Sequence, residues 1–136
     1  MDRAILLASG CLGMRTRICS FELDRRGFVH ARLDKGAFLA LDDARDALAA
    51  TWTVAGEKRR PVLVDMTALG GESRSARMYF VSEEAVQRYS AVAILVASAV
   101  SRVIGTFFLR LSAHKVPTRM FSDEDEAMRW LAEQAR

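Results

Sequence analysis

Two short runs in the first third of the chain alternate strictly between apolar and polar positions. In CSFEL, Cys19, Phe21 and Leu23 alternate with Ser20 and Glu22; in VHARL, Val29, Ala31 and Leu33 alternate with His30 and Arg32. A period of two buries one face of a strand and wets the other. The intervening DRRG places Gly27 where a tight turn favours positive φ. The pattern predicts an antiparallel hairpin with His30 on its wet face.

The period then changes. Ala44, Ala47, Leu48, Trp52 and Ala55 recur at helical spacing, with Asp42 or Asp43 placed to cap the helix and Gly56 to end it. VLVDM (from Val62) and VAILVA (from Val92) are continuous apolar runs of strand length, as expected for strands covered on both faces. Between them a helical region runs from Ser73 to Tyr89, with a break expected near Ser82. Ser98 or Ser101 opens a further helix carrying Val103, Ile104, Phe107, Phe108 and Leu111. PTRMF reads as a short edge strand behind Pro117, and SDED (Ser122 to Asp125) as the capping box of a last helix that turns Ala127, Trp130 and Leu131 inward.

The order β-β-α-β-α-β-α-β-α predicts an α/β fold: an N-terminal β-hairpin, then alternating βα units forming a mixed, mostly parallel sheet. A single domain is expected over 15–136, with 1–14 as a poorly ordered leader and Met14 as an alternative start. AILLASGC (Ala4 to Cys11) has small residues before a cysteine, but its apolar stretch is too short for a signal sequence.

Composition narrows the class without naming a function. The chain has 136 residues, about half of them apolar, and a formal charge of +3. Its arginines are interleaved with acids, so no nucleic-acid partner is expected. Cys11 and Cys19 have neither a disulfide nor a zinc spacing, and only two histidines, His30 and His114, accompany them. These features predict free thiols, a cytoplasmic location, no bound metal and no cofactor. No run is long enough to span a membrane.

The strand ending in VLVDMT, through Asp65 and Thr67, the hairpin before it and the helix start after it together resemble the STAS superfamily, also called SpoIIAA-like, which includes anti-sigma-factor antagonists. The resemblance covers roughly Arg15 to the C-terminus. Segments reading DDAR, RRPVLVD, SRSAR and SRVIGTFF look closest to small bacterial STAS-like proteins of unassigned function. The resemblance implies a non-enzymatic regulatory module that binds a protein partner and carries a phosphorylatable serine. Ser75 falls on that serine. The sequence departs from the family around it: Ser73 stands at the family's aspartate, Arg74 at its first serine and Ala76 at its glycine.

The residues themselves leave several roles open. Ser73 and Ser75 suit a phosphoswitch at a helix start, although plain N-capping is the commoner work of a serine such as Ser73. Arg74, Arg77 and Arg102, with Ser101, lie where helices begin after strand ends, a place where open α/β sheets gather ligands. A solvated salt-bridge role is the commoner one for each of these arginines, and Arg74 and Arg77 are expected to reach outward. Asp65 has no histidine, cysteine or second acid tied to it by spacing, so an enzyme is the least favoured class. Lys58, Arg59 and Arg60 read as a solvated loop.

Met78, Tyr79 and Phe80 are consecutive, as are Phe107, Phe108 and Leu109. Helical neighbours lie about 100° apart, so such triplets cannot all face one core. Met78, Tyr79, Phe107 and Phe108 are therefore candidates for a docking or homodimer surface. The leading expectation is a protein-binding module acting through the loop after Asp65 and the helix that follows. Its rivals are a binder of a small anion or lipid-like molecule, and a self-assembling structural domain. A closed pocket at the strand ends favours a ligand; an exposed apolar surface favours a protein.

Overall fold

A computed structural model describes residues 5–7, 11–113 and 115–135. In chain order the strands and helices are β1 (Ile5–Leu6), β2 (Leu12–Arg15), β3 (Cys19–Leu23), β4 (Val29–Leu33), β5 (Phe38–Leu39), α1 (Leu41–Val54), β6 (Arg60–Asp65), β7 (Gly71–Glu72), α2 (Arg74–Phe80), α3 (Glu83–Val86), β8 (Tyr89–Leu95), α4 (Ala99–Ser112), β9 (Thr118–Phe121) and α5 (Glu124–Gln134). Among the described residues a seven-stranded sheet runs in the order β1-β2-β3-β4-β6-β8-β9, and β5 pairs with β7 in a separate two-stranded ribbon.

The predicted hairpin is β3 and β4, paired antiparallel with Cys19 opposite Leu33 and Leu23 opposite Val29. Gly27 in its turn takes φ +86°. From β4 onward the sheet is parallel, β4 to β6, β6 to β8 and β8 to β9. The architecture is thus α/β with a mixed sheet, parallel through its core.

The expected leader is corrected where it is described. β2 pairs antiparallel with β3, Met14 opposite Phe21, and β1 pairs with β2. Leu12 and Met14 alternate with Gly13 and Arg15, and Met14 packs on the core. A bare β3 edge would leave backbone donors and acceptors unpaired, and this segment satisfies them.

Helices cover the two faces unequally. Val29, Ala31, Val62, Val92 and Ile94 face the main core, which α1, α2, α3 and α4 close with Leu48, Ala76, Ala85 and Ile104. Leu63, Ala91, Ala93 and Leu95 face the opposite side, where α5 seats Ala127, Met128 and Leu131. α5 packs chiefly on β6, β8 and β9, and the polar residues of β4 share that side of the sheet, where Arg32 approaches Glu124 at the start of α5.

Local chemistry sets the helix ends. At α1 the expected caps are corrected: Ala40 occupies the cap position, and Asp43, two residues inside the helix, accepts from the Ala40 N–H at 3.0 Å. Gly56, at φ +71°, turns the chain off the end of α1 as expected. The helical region after Ser73 breaks where predicted, with Ser82 capping α3 through the Ala85 N–H. Ser98 caps α4 through the Ser101 N–H. At α5 the cap is Asp123 rather than Ser122, its carboxylate accepting from the Asp125 N–H.

Candidate functional site

The carboxyl end of β6 leads into the stretch that the sequence singles out. Asp65 Oδ1 accepts from the Thr67 N–H at 3.0 Å and from the Thr67 hydroxyl at 2.7 Å. Its other oxygen lies 3.7 Å from Arg32, which also approaches Glu124 of α5 at 3.8 Å. Asp65 and Thr67 therefore close a turn on the α5 side of the sheet. They do not converge with Arg74, Arg77 or Arg102.

The chain then crosses under the helices. β7 pairs with β5, Gly71 beside Phe38 and Glu72 beside Leu39. The ribbon forces a close approach: a Cβ on Gly70 would lie 2.6 Å from the Gly36 carbonyl oxygen. The result is that Glu72 points inward, with its side chain only 3% exposed. Arg77, one turn into α2, brings its Nε to 3.7 Å from Glu72 Oε2. Both atoms are buried, and neither has a hydrogen-bond partner. Burial raises the Glu72 carboxyl and outweighs the opposing charge of Arg77, which leaves it at about 7.

α2 begins with the serines. Ser73 is its N-cap, its Oγ accepting from the Ala76 N–H at 3.1 Å, and Ser75 Oγ lies 3.2 Å from Ser73 Oγ. Ser75 and Arg74 are exposed. Arg77 does not reach outward as the sequence suggests. Besides facing Glu72, its guanidinium lies 4.6 Å from the centre of the Phe107 ring on α4.

On α4, Ser101 is fully buried and occupied: its Oγ accepts from the Ala97 N–H at 2.9 Å and contacts Ser98. That corrects its candidacy as a binding residue; it clamps the loop from β8 into α4. Arg102 is exposed. The four candidate docking residues divide. Met78 and Phe107 are exposed, Tyr79 is half-buried with its hydroxyl donating to Glu84 at 2.6 Å, and Phe108 is buried against Phe80. Phe108 is thus core rather than surface. Val100 and Val103 join Phe107 instead, three exposed apolar residues spaced along one side of α4.

Other polar candidates serve the fold. Arg59 donates to the Tyr89 carbonyl and Arg60 to the Ala55 carbonyl, so backbone oxygens hold these two arginines, while Lys58 is exposed as expected of a solvated loop. His30 contacts Asp24 through Nε2 at 2.9 Å, and the same carboxylate accepts from the Phe28 and Arg26 N–H groups across the hairpin turn. Cys19 is buried, which drives its thiol up to about 12, far from a reactive thiolate. His114 lies outside the described residues. Among the described residues, no group of three or more His, Cys, Asp or Glu side chains is placed to hold a metal, and no helix is long and apolar enough to cross a membrane.

Sequence reasoning missed Glu72. An acid after two glycines reads as a solvated loop, and its burial follows from the β5–β7 pairing, which joins residues far apart in the chain. The one local signal was the paired glycines, which permit the close backbone approach.

The sequence model of a family described as a domain of unknown function (DUF7793) matches residues 21–135. The chain belongs to that family. No curated protein matches it. Among solved structures, the chain is similar to an uncharacterised DUF3478-family protein with a SpoIIAA-like fold from Shewanella loihica PV-4. The two share 14% sequence identity with a TM-score of 0.57, over 96% of this chain and 95% of the other. At that identity the likeness concerns the fold, and the fold is SpoIIAA-like, as the resemblance in the sequence implied.

Proposed function

We propose that the chain is a non-enzymatic interaction module that docks an acidic segment of a protein partner on α4 and the adjoining start of α2. The observation that carries this reading is the stripe of Val100, Val103 and Phe107, 45%, 57% and 46% exposed, on a helix that contains no acidic residue. Arg102 and Arg110 on the same helix and Arg74 on α2 are exposed, and the Arg77 guanidinium lies against the Phe107 ring. Apolar side chains exposed in a row on a helix whose charges are all basic suit a partner of opposite charge that carries its own apolar anchors.

The non-enzymatic part rests on how the candidate catalytic groups are spent. Asp65 is engaged by Thr67, Asp24 holds His30 and the hairpin turn, and the Cys19 thiol is buried. Ser75 is the residue we assign to regulation. It is exposed at the start of α2, and a phosphate there would add negative charge to a face that selects for acid, so modification would weaken docking.

The test is site-directed photo-crosslinking in the native cell with a photoreactive residue at Val103, and at Arg129 on the opposite face as control. The expected result is one discrete protein adduct from position 103, absent from position 129 and lost with Arg102→Glu. Adducts of equal yield from both positions, or none from position 103, would overturn the reading. An adduct to a second copy of the chain would replace it with self-assembly.

A further inference from the structure

Arg77 stands between two partners and satisfies neither fully. Inside, its Nε lies 3.7 Å from Glu72 Oε2, beyond hydrogen-bond reach, and both atoms are buried without a bonding partner. Outside, its guanidinium lies 4.6 Å from the centre of the Phe107 ring, within the range of a cation–π contact. We propose that Arg77 is a proton-controlled switch: it seats on Phe107 while Glu72 is protonated and turns inward to bond Glu72 when that carboxyl ionises. The bearing of the switch on docking rests on the function proposed above, because Phe107 belongs to the α4 stripe. The switch itself is a property of the free chain and is tested there.

Glu72 is the fixed member of the pair. It lies in β7, flanked by the Gly70 and Ser73 N–H groups, which donate to the Ala37 and Leu39 carbonyls at 2.9 Å each. Its side chain borders a cavity of about 60 Å³ beneath α1, α2 and α4, walled largely by apolar residues that include Leu48, Val92 and Phe108. Arg77 is the movable member. It is partly exposed and carries its guanidinium on a long unbranched stem, so it can exchange one seat for the other by rotating its own torsions, with α2 left in place.

The proton decides between the two seats. A neutral carboxyl attracts a guanidinium weakly, and the ring then holds it. An ionised carboxylate in the interior is costly unless it is paired and hydrogen-bonded. A charge-assisted bond from Nε–H is about twice as strong as a neutral one, whereas the Phe107 ring is nearly half in water and offers less. Closing the gap to about 2.8 Å takes a movement of about 1 Å. Burial leaves the Glu72 carboxyl at about 7 against the charge of Arg77, so the exchange falls near neutral pH. The other titratable side chains around the cavity are Cys19 on β3 and Tyr89 on β8, both raised by burial so far that they stay neutral through that range. α1, α4 and β5 bring only uncharged side chains to the cavity wall, among them Thr51, Phe108 and Leu39.

The experiment follows the Arg77 and Phe107 side-chain resonances of the full chain by NMR from pH ~5 to pH ~9, in the parent and in Glu72→Gln. In the parent, the ring-current shift that Phe107 imposes on the Arg77 side chain should fade as pH rises, and the Arg77 Nε–H signal should move downfield as its hydrogen bond forms. Both changes should share one midpoint near 7. In Glu72→Gln, which has no proton to lose, both signals should hold one value across the range. A ring-current shift that stays constant in the parent would overturn the proposal without reference to any variant. A change that persists in folded Glu72→Gln would overturn it too, because another group would then drive it. These signals need no partner, so they stand if the docking reading fails, and their failure leaves the crosslinking result untouched.

Discussion

The Arg77 guanidinium stands 4.6 Å from the centre of the Phe107 ring while its Nε faces buried Glu72, so one side chain joins the interior of the domain to its exposed apolar stripe. Removing it exposes two costs at once: an uncompensated buried acid and a ring without its cation. Arg77→Ala should destabilise the fold by about 2 kcal/mol, below the usual range for breaking a buried pair because Arg77 is itself partly exposed. In denaturant unfolding, the double variant Glu72→Gln with Arg77→Ala should lose less than the sum of the two single changes. Strict additivity would mean that the two side chains do not interact.

Stability should fall as pH rises through neutrality, because of Glu72. Its carboxyl is raised from an ordinary 4.5 in the unfolded chain to about 7 in the fold, so between those values the native state holds the extra proton. The contribution is complete below about pH 4.5 and is lost as pH climbs through 7, amounting to about 3 kcal/mol at most. Unfolding free energies between pH 5 and pH 8 should show this decline in the parent and not in Glu72→Gln. Parallel curves would place the Glu72 carboxyl near its ordinary value.

Acid should act in the opposite sense through Asp43 and Asp24. Burial works against ionising both. For Asp43 the hydrogen bonds from Arg17 and the Ala40 N–H outweigh it; for Asp24 those from Phe28 and His30 do, so both carboxyls sit below their usual range. A depressed carboxyl contributes stability above its unfolded value of about 4 and loses it as pH falls further. Asp43→Asn should therefore cost about 1 kcal/mol at neutral pH and flatten the acid limb of the unfolding profile below pH ~4. An acid limb identical to that of the parent would contradict the assignment.

The two serines at the start of α2 should separate cleanly. Ser73→Ala removes the cap bond to the Ala76 N–H and should cost about 1 kcal/mol. Ser75→Ala, at an exposed position, should change stability by less than about 0.5 kcal/mol. If Ser75→Ala proves the more damaging in thermal unfolding, its 3.2 Å contact with Ser73 is holding the cap in place.

Gly70 should tolerate no side chain. A methyl group there meets the backbone of Gly36, which cannot move as a flexible side chain does. Gly70→Ala should destabilise by about 2 kcal/mol and separate β5 from β7, seen as faster amide exchange at Gly71 and Ser73. Unchanged exchange at those amides would mean that the Gly36 loop yields freely.

The strands and helices that carry a strong period were legible from residues alone. Cys19, Phe21 and Leu23 alternate with polar neighbours, and Ala44, Ala47 and Leu48 recur at helical spacing, so near neighbours in the chain set the pattern that burial then uses. The N-caps Ser73 and Ser82 were legible for the same reason, and Ser98 as one of two choices with Ser101, since each bonds an N–H three residues on. β2 was not, because Leu12 to Arg15 is short and gains its place only from the edge of β3.

Which of two adjacent aromatic residues is core and which is surface was also beyond the sequence. Phe107 and Phe108 differ only in the side of α4 they occupy, and that side is set by how the helix rolls onto the sheet. Glu72 is the clearest case. Its charge and its glycine neighbours argue for water, and only the pairing of β5 with β7 turns it inward toward Arg77 and the cavity. Periodicity and capping are local and can be read along a chain. The environment of a single buried charge is the sum of contacts among distant segments, and those exist only once the chain has folded.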